Sequence, residues 1–129
     1  MIDGDSLRLN DRELRLAGID APELHQTCER NGQVYACGRE ARTALGIKLR
    51  QGRLSCRVTG LDRYSRDLAV CAVDGRDING ELVREGAAVA YGSYEAEEAQ
   101  AKSARRGVWA GSFERPSDWR RRHPRGDLN

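Results

Sequence analysis

No stretch of this 129-residue chain approaches the roughly 20 consecutive apolar residues that a membrane-spanning helix needs, so the sequence reads as soluble, with no membrane partner. The N-terminus lacks the basic and apolar regions of a secretory signal. Its opening residues, "MIDGD", already run into a strand pattern, as expected of a chain that has lost a leader or an earlier strand. There is no C-x-x-C pair, and His25 is the only histidine near a cysteine, too thin a set for a closed tetrahedral zinc site. No internal repeat occurs, so a repeat array is excluded. A strong excess of one charge is also missing. The formal charge is +2 and the pI about 8.4, a balance that an ordinary solvated surface produces by default and that suits a polyanion only weakly.

What is present fits one domain with a single core. The chain is 39% hydrophobic and 33% charged, yet its apolar residues recur in short periodic runs, which argues for folding. Residues 5–9 and 12–17 alternate around "ND" and predict a β-hairpin, with Leu7 and Leu9 facing Leu14 and Leu16. Residues 24–37 show neither period and read as a long loop bracketed by Cys28 and Cys37. Helical spacing of Ala41, Ala44, Leu45 and Leu49 predicts a helix over 39–50, stopped near Gly52. "LSCRVTG" and "LAVCAV" predict a second hairpin turning through "LDRYSR". A helix over 78–85, a brief strand over 87–91 and a third helix over about 94–106 follow, and "RRRHPR" reads as a basic tail. Strands followed by helices on the C-terminal side describe an α+β domain, and five short strands could close as a small Greek-key barrel.

The cysteines allow three pairings. If the second hairpin folds about Arg63 and Tyr64, Cys56 falls opposite Cys71 and Val58 opposite Ala69, within reach of a disulfide. Cys28 and Cys37 would then staple the long loop, and the compartment would be oxidising. Buried free thiols are the alternative.

The charged residues converge. Asp3 and Asp5 flank Gly4 at the start of the first hairpin, and Asp20 and Glu23 follow its second strand, so pairing the strands brings these acids to one end of the sheet. Carboxylates held close repel one another unless a hard cation neutralises them, and calcium suits an oxygen-only set. Arg15 and Arg66 supply planar guanidiniums that can clamp phosphodiester oxygens. Glu23 is the candidate to position or deprotonate water.

Taken in order, "IDGD", "LRLAGIDAPE", "CGREA", "DRYSR", "INGELVREGAAVAY" and "AQAKSARRGVW" resemble the staphylococcal nuclease family over almost the whole chain. The resemblance implies an OB-fold barrel with three helices and calcium-dependent hydrolysis of DNA and RNA that leaves 3′-phosphate ends. It implies Asp5, Asp20 and the backbone carbonyl of Ala21 as calcium ligands, with Asp3 in the outer shell. It further implies Arg15, Glu23 and Arg66 as catalytic, Tyr64 near the 5′ phosphate and Tyr91 beside the nucleotide. A second nucleotide-pocket tyrosine falls on Ser93, with Tyr94 one residue late, and the strand that members carry before "IDGD" is missing. That absence leaves one barrel edge open or filled by another chain.

The expectation is therefore a nuclease domain over 1–110 and a basic tail over 111–129, in a monomer that is secreted or periplasmic. The other reading is a non-catalytic OB-fold module that binds nucleic acid or protein. It gives no reason for Asp5, Asp20, Glu23, Arg15 and Arg66 to occur together.

Overall fold

The computed structural model describes residues 2–124; Met1 and residues 125–129, the end of the expected tail, lie outside it. The described residues form nine strands, β1 (Ser6–Leu9), β2 (Arg12–Leu16), β3 (Ile19–Asp20), β4 (Cys28–Arg30), β5 (Gln33–Tyr35), β6 (Leu54–Leu61), β7 (Asp67–Val73), β8 (Arg76–Asp77) and β9 (Val89–Ala90). The α-helices are α1 (Cys37–Leu49), α2 (Ile78–Arg84), α3 (Glu95–Ala104) and α4 (Pro116–Arg122), with a 3-10 turn at Gly107–Ala110. None of these helices is long and apolar enough to cross a membrane.

The α+β class holds, but the expected closed five-stranded barrel does not. The strands fall into three sheets: a five-stranded one ordered β1-β2-β7-β6 with β8 also on β7, and the separate pairs β3-β9 and β4-β5. Among the described residues the end strands of the five-stranded sheet, β1 and β6, pair with no strand that would join them, so the sheet stays open. Between its pairings with β2 and β8, the edge of β7 is met by a side chain, not by a strand. Asn79, fully buried, donates from Nδ2 to the carbonyls of Ala17 (2.9 Å) and Ala69 (3.1 Å) and accepts at Oδ1 from the Cys71 N–H (3.1 Å). Polar backbone groups are satisfied there without extending the ladder. The helix count also changes, because part of the expected tail forms α4, started by Pro116 at its first turn, so four α-helices occur among the described residues.

The first hairpin turns at Asn10 and Asp11, both with positive φ (52° and 66°), as a two-residue primed turn requires. Leu7 pairs with Leu14, while Leu9 lies opposite Arg12. Residues 24–37, expected as bare loop, contain the β4-β5 hairpin. Both disulfides form: Cys28–Cys37 and Cys56–Cys71 have Cα separations of 5.6 and 4.1 Å. The second hairpin turns one residue wider than expected, with Leu61 opposite Asp67. An irregularity between Val58 and Gly60 then restores the register that places Cys56 opposite Cys71.

Leu7, Leu14, Leu16, Leu45, Ile78 and Leu82 centre the main core between the large sheet, α1 and α2. A smaller cluster joins the Cys28–Cys37 disulfide to Val108, with Tyr35, Trp109 and Phe113 packed against it. This second cluster carries the chain toward α4.

Candidate active site

The acidic end of the first hairpin is built by a tight approach. A Cβ at Gly4 would lie 2.7 Å from that of Ala41 and 2.8 Å from that of Ala21, so only glycine lets this segment press between α1 and the β3 turn. Asp3 closes the turn, its Oδ1 accepting from the Asp5 N–H (3.1 Å) and the Ser6 hydroxyl (2.6 Å). Asp5 Oδ2 accepts from the Ala21 N–H at 2.9 Å, which ties the two acidic segments together.

Arg15 lies opposite Ser6 on β1 and beside Leu68 on β7, and its guanidinium bridges two acids. Its Nη2 is 3.4 Å from Asp5 Oδ2 and 3.2 Å from Asp20 Oδ1, with Asp20 only 1% exposed. Its charge also lies over the Tyr91 ring, 5.9 Å from the centroid. A second guanidinium, from α4, completes the cluster. Arg120 Nη1 donates to Asp20 Oδ1 (3.0 Å) and Glu23 Oε1 (3.3 Å), and its Nη2 to Asp20 Oδ2 (3.0 Å).

Burial chiefly lifts the Asp5 carboxyl well above its ordinary value, and the neighbouring charge of Asp3 adds to it; Arg15 and the Ala21 N–H pull the other way. Glu23 is also raised, mainly by burial, with Arg120 opposing and Asp20 and Asp3 adding to the rise. For Arg120, burial alone would favour loss of the proton, but the hydrogen bonds and charges of Asp20 and Glu23 outweigh it and raise the guanidinium further.

Asp3, Asp5, Arg15, Asp20, Ala21, Glu23 and Tyr91 are therefore linked in one neighbourhood. Arg66 and Tyr64 sit in another, on the turn of the second hairpin. Arg66 Nε donates to Asp62 Oδ2 at 2.7 Å, its Nη1 is 3.9 Å from Glu13 Oε2, and its charge lies 5.6 Å from the Tyr64 ring centroid. Glu13 and Arg15 alternate onto the same face of β2, so Arg66 approaches from the face that Arg15 occupies. Tyr94 is used elsewhere: its hydroxyl donates to Asp77 Oδ2 at 2.8 Å, and its ring lies 3.1 Å from the Cβ position at Gly18.

Arg120 has no counterpart in the sequence expectations, which left "RRRHPR" as a tail. The available signal is the pairing of Pro116, a helix starter, with the apolar Trp119 three residues on. It predicts a docked turn without saying which arginine points inward.

In kind, the carboxylates of Asp5 and Asp20 and the carbonyl of Ala21 are an oxygen-only set that suits a hard cation, and Asp5 is raised chiefly by its burial. In arrangement, the carboxylates are turned toward Arg15 and Arg120, and among the described residues no group of three acidic, histidine or cysteine side chains converges as metal ligands.

Residues 13–111 match the family model described as "Staphylococcal nuclease homologue". The chain is 36% identical over 84% of its length to "Succinoglycan biosynthesis protein ExoI" of Rhizobium meliloti (strain 1021), spanning 61% of that protein. It is 33% identical over 92% of its length to "Probable staphylococcal-like nuclease CAN1" of Oryza sativa subsp. japonica, spanning 35% of it. A third relative, an "Uncharacterized endonuclease" of Haemophilus influenzae, is 35% identical over 92% of the chain, which spans 68% of that protein.

Proposed function

Since the chain belongs to the staphylococcal nuclease homologue family, we propose that it is a calcium-dependent, sugar-nonspecific nuclease that hydrolyses phosphodiester bonds of DNA and RNA and leaves 3′-phosphate ends. The observation that carries this reading is the convergence on Arg15: one guanidinium within reach of Asp5 and Asp20, beside Tyr91, in the pocket that Glu23 borders.

Asp5, Asp20 and the Ala21 carbonyl would hold calcium, with Asp3 behind them. When bound, the ion would neutralise charge on the phosphoryl oxygens. Arg15 is positioned to bind those oxygens through charge-assisted hydrogen bonds, and Arg66, approaching from the same sheet face, would supply the second guanidinium. Glu23 would orient the attacking water or accept its proton. Its raised carboxyl favours taking a proton compared with an ordinary glutamate. Tyr64 would contact the 5′ phosphate, and Tyr91 would lie beside the nucleotide.

Residues 1–110 would form the nuclease unit of a monomer. Two disulfides support work in an oxidising setting, secreted or periplasmic. A second reading, a non-catalytic module that binds nucleic acid or protein, is favoured by one observation: Asp20 and Glu23 already have a guanidinium partner in Arg120. Digestion of single-stranded DNA and RNA with added calcium and with chelator separates the two. The nuclease cuts both substrates only with calcium; the binding module retains them intact under both conditions.

A further inference from the structure

The C-terminal segment reaches the acid cluster along a built path. Ser112 and Glu29 exchange backbone hydrogen bonds in both directions, each 2.9 Å, beside the Cys28–Cys37 disulfide. A Cβ at Gly111 would lie 1.9 Å from the Glu29 carbonyl, so this crossing requires glycine. Gln26, 1% exposed, then donates from Nε2 to the Glu114 carbonyl at 2.7 Å while its Oε1 accepts from the Glu23 N–H at 3.1 Å. The same side chain thus holds both the segment that bears Glu23 and the segment that leads to α4. Pro116 and Trp119 are buried, and Trp119 stacks on His123 with centroids 4.0 Å apart.

Of the three arginines on α4, only the first, Arg120, reaches the acid cluster. Arg121 pairs with Asp118 and Arg122 with Glu114, both partners lying in the C-terminal segment itself, whereas Arg120 reaches back 100 residues to Asp20. Both Asp20 oxygens are engaged by it, and Oδ1 is shared with Arg15.

We propose that Arg120 is a built-in plug of the acid pocket: its guanidinium holds Asp20 and Glu23, and a divalent cation gains Asp20 only by displacing it. The inference rests on the reading of Asp20 as a metal ligand. Asp20 Oδ1 already accepts from two guanidiniums and Oδ2 from one, which leaves little of the carboxylate's lone-pair capacity for a cation, and the two positive groups repel where the carboxylate is buried and screening is weak. Docking of Arg120 and cation binding are therefore antagonistic, and by linkage each weakens the other by the same factor. The Arg120 side chain is 37% exposed and no residue of its seven-residue helix belongs to the main core, so release of Arg120 leaves that core untouched.

The test is calorimetric titration of the full chain with calcium at fixed ionic strength, comparing wild type, Arg120→Ala, Arg120→Gln and Arg121→Ala. Arg120→Ala and Arg120→Gln are expected to bind calcium at least about tenfold more tightly, with Arg121→Ala within about twofold of wild type. Saturating calcium should also speed amide hydrogen exchange across 116–122 in wild type. Equal or weaker binding by both Arg120 variants, each checked for native near-UV dichroism, overturns the plug and leaves the metal reading standing. An equal gain in Arg121→Ala also overturns it, because bulk charge then accounts for the effect. No calcium binding by any of the four proteins overturns the metal reading and the plug together.

Discussion

Arg120 and Asp20, 100 residues apart, form a two-pronged ion pair in which each terminal guanidinium nitrogen donates to a different carboxylate oxygen at 3.0 Å. The pair joins the C-terminal helix to the acidic corner of the first hairpin. Residue types suited to phosphodiester chemistry thus share their pocket with a cation supplied by the chain itself.

Arg66 stands outside that pair, on the second hairpin turn, with a side chain 35% exposed. Its replacement by alanine should lower kcat/KM on a single-stranded oligonucleotide by about 10²–10³-fold, roughly 2–4 kcal/mol of transition-state stabilisation. The melting temperature should move little, because none of the main core is altered. Wild-type turnover in Arg66→Ala would remove this residue from the chemistry.

Asp5 opposes stability at neutral pH. Its folded-state pKa is raised, so the stabilisation it gives is present at low pH and is lost as pH rises through that value. Asp5→Asn keeps an oxygen to accept from the Ala21 N–H. In chelator at neutral pH it should melt higher than wild type, by about 2–4 °C for each kcal/mol regained. Added calcium should raise the wild-type melting temperature and leave that of Asp5→Asn unchanged. Scanning calorimetry with and without calcium measures both effects.

Acid should loosen the helices through two glutamates shifted the other way. Burial would raise Glu81, but Lys48 and Arg76 hold it below its ordinary value of 4.5. Burial would likewise raise Glu98, which Arg115, the Ala90 N–H and Lys102 lower. Depressed carboxylates contribute stability that is complete above the unfolded value and is lost as pH falls below 4.5 through the folded values. Asp5 and Glu23 act in the opposite sense in wild type and variant alike, so the effect is read as a difference: the stability gap in urea melts between wild type and the double variant Glu81→Gln, Glu98→Gln should shrink as pH falls from 6 to 3. A gap unchanged with pH would dismiss the two ion-pair networks as its source.

The Cys28–Cys37 disulfide supports the path to α4. Replacing both residues by alanine should cost about 2–3 kcal/mol, as expected for closing so short a loop. Amide exchange should rise in 111–122 more than in β6 and β7, where the second disulfide remains. A uniform rise across the chain would argue against the local link.

The legible parts of the sequence were those governed by local periodicity. The β1-β2 and β6-β7 hairpins and helices α1 to α3 followed from alternation, from Asn10 and Asp11, and from apolar residues such as Ala41, Leu45 and Leu49 at helical spacing, whereas the β4-β5 hairpin and α4 did not. A turn about Arg63 and Tyr64 leads to the Cys56–Cys71 pairing because one wider turn and one compensating irregularity cancel. Closure was not legible, since it depends on whether the end strands β1 and β6 meet, and neither was the place of Asn79, whose amide serves three backbone groups brought together only by folding. Nor was Arg120: a run of arginines has no internal mark that distinguishes the inward member, and its direction is set by Gly111, Gln26 and Trp119 at remote contacts.

The role of Asp20 as a metal ligand in a phosphodiester-cleaving site is decided by the cleavage rate of a single-stranded oligonucleotide against free calcium, for wild type and Asp20→Asn. A saturable rise in wild type, absent from the variant, is the predicted result. A rate independent of calcium, or the same curve in both proteins, would contradict it.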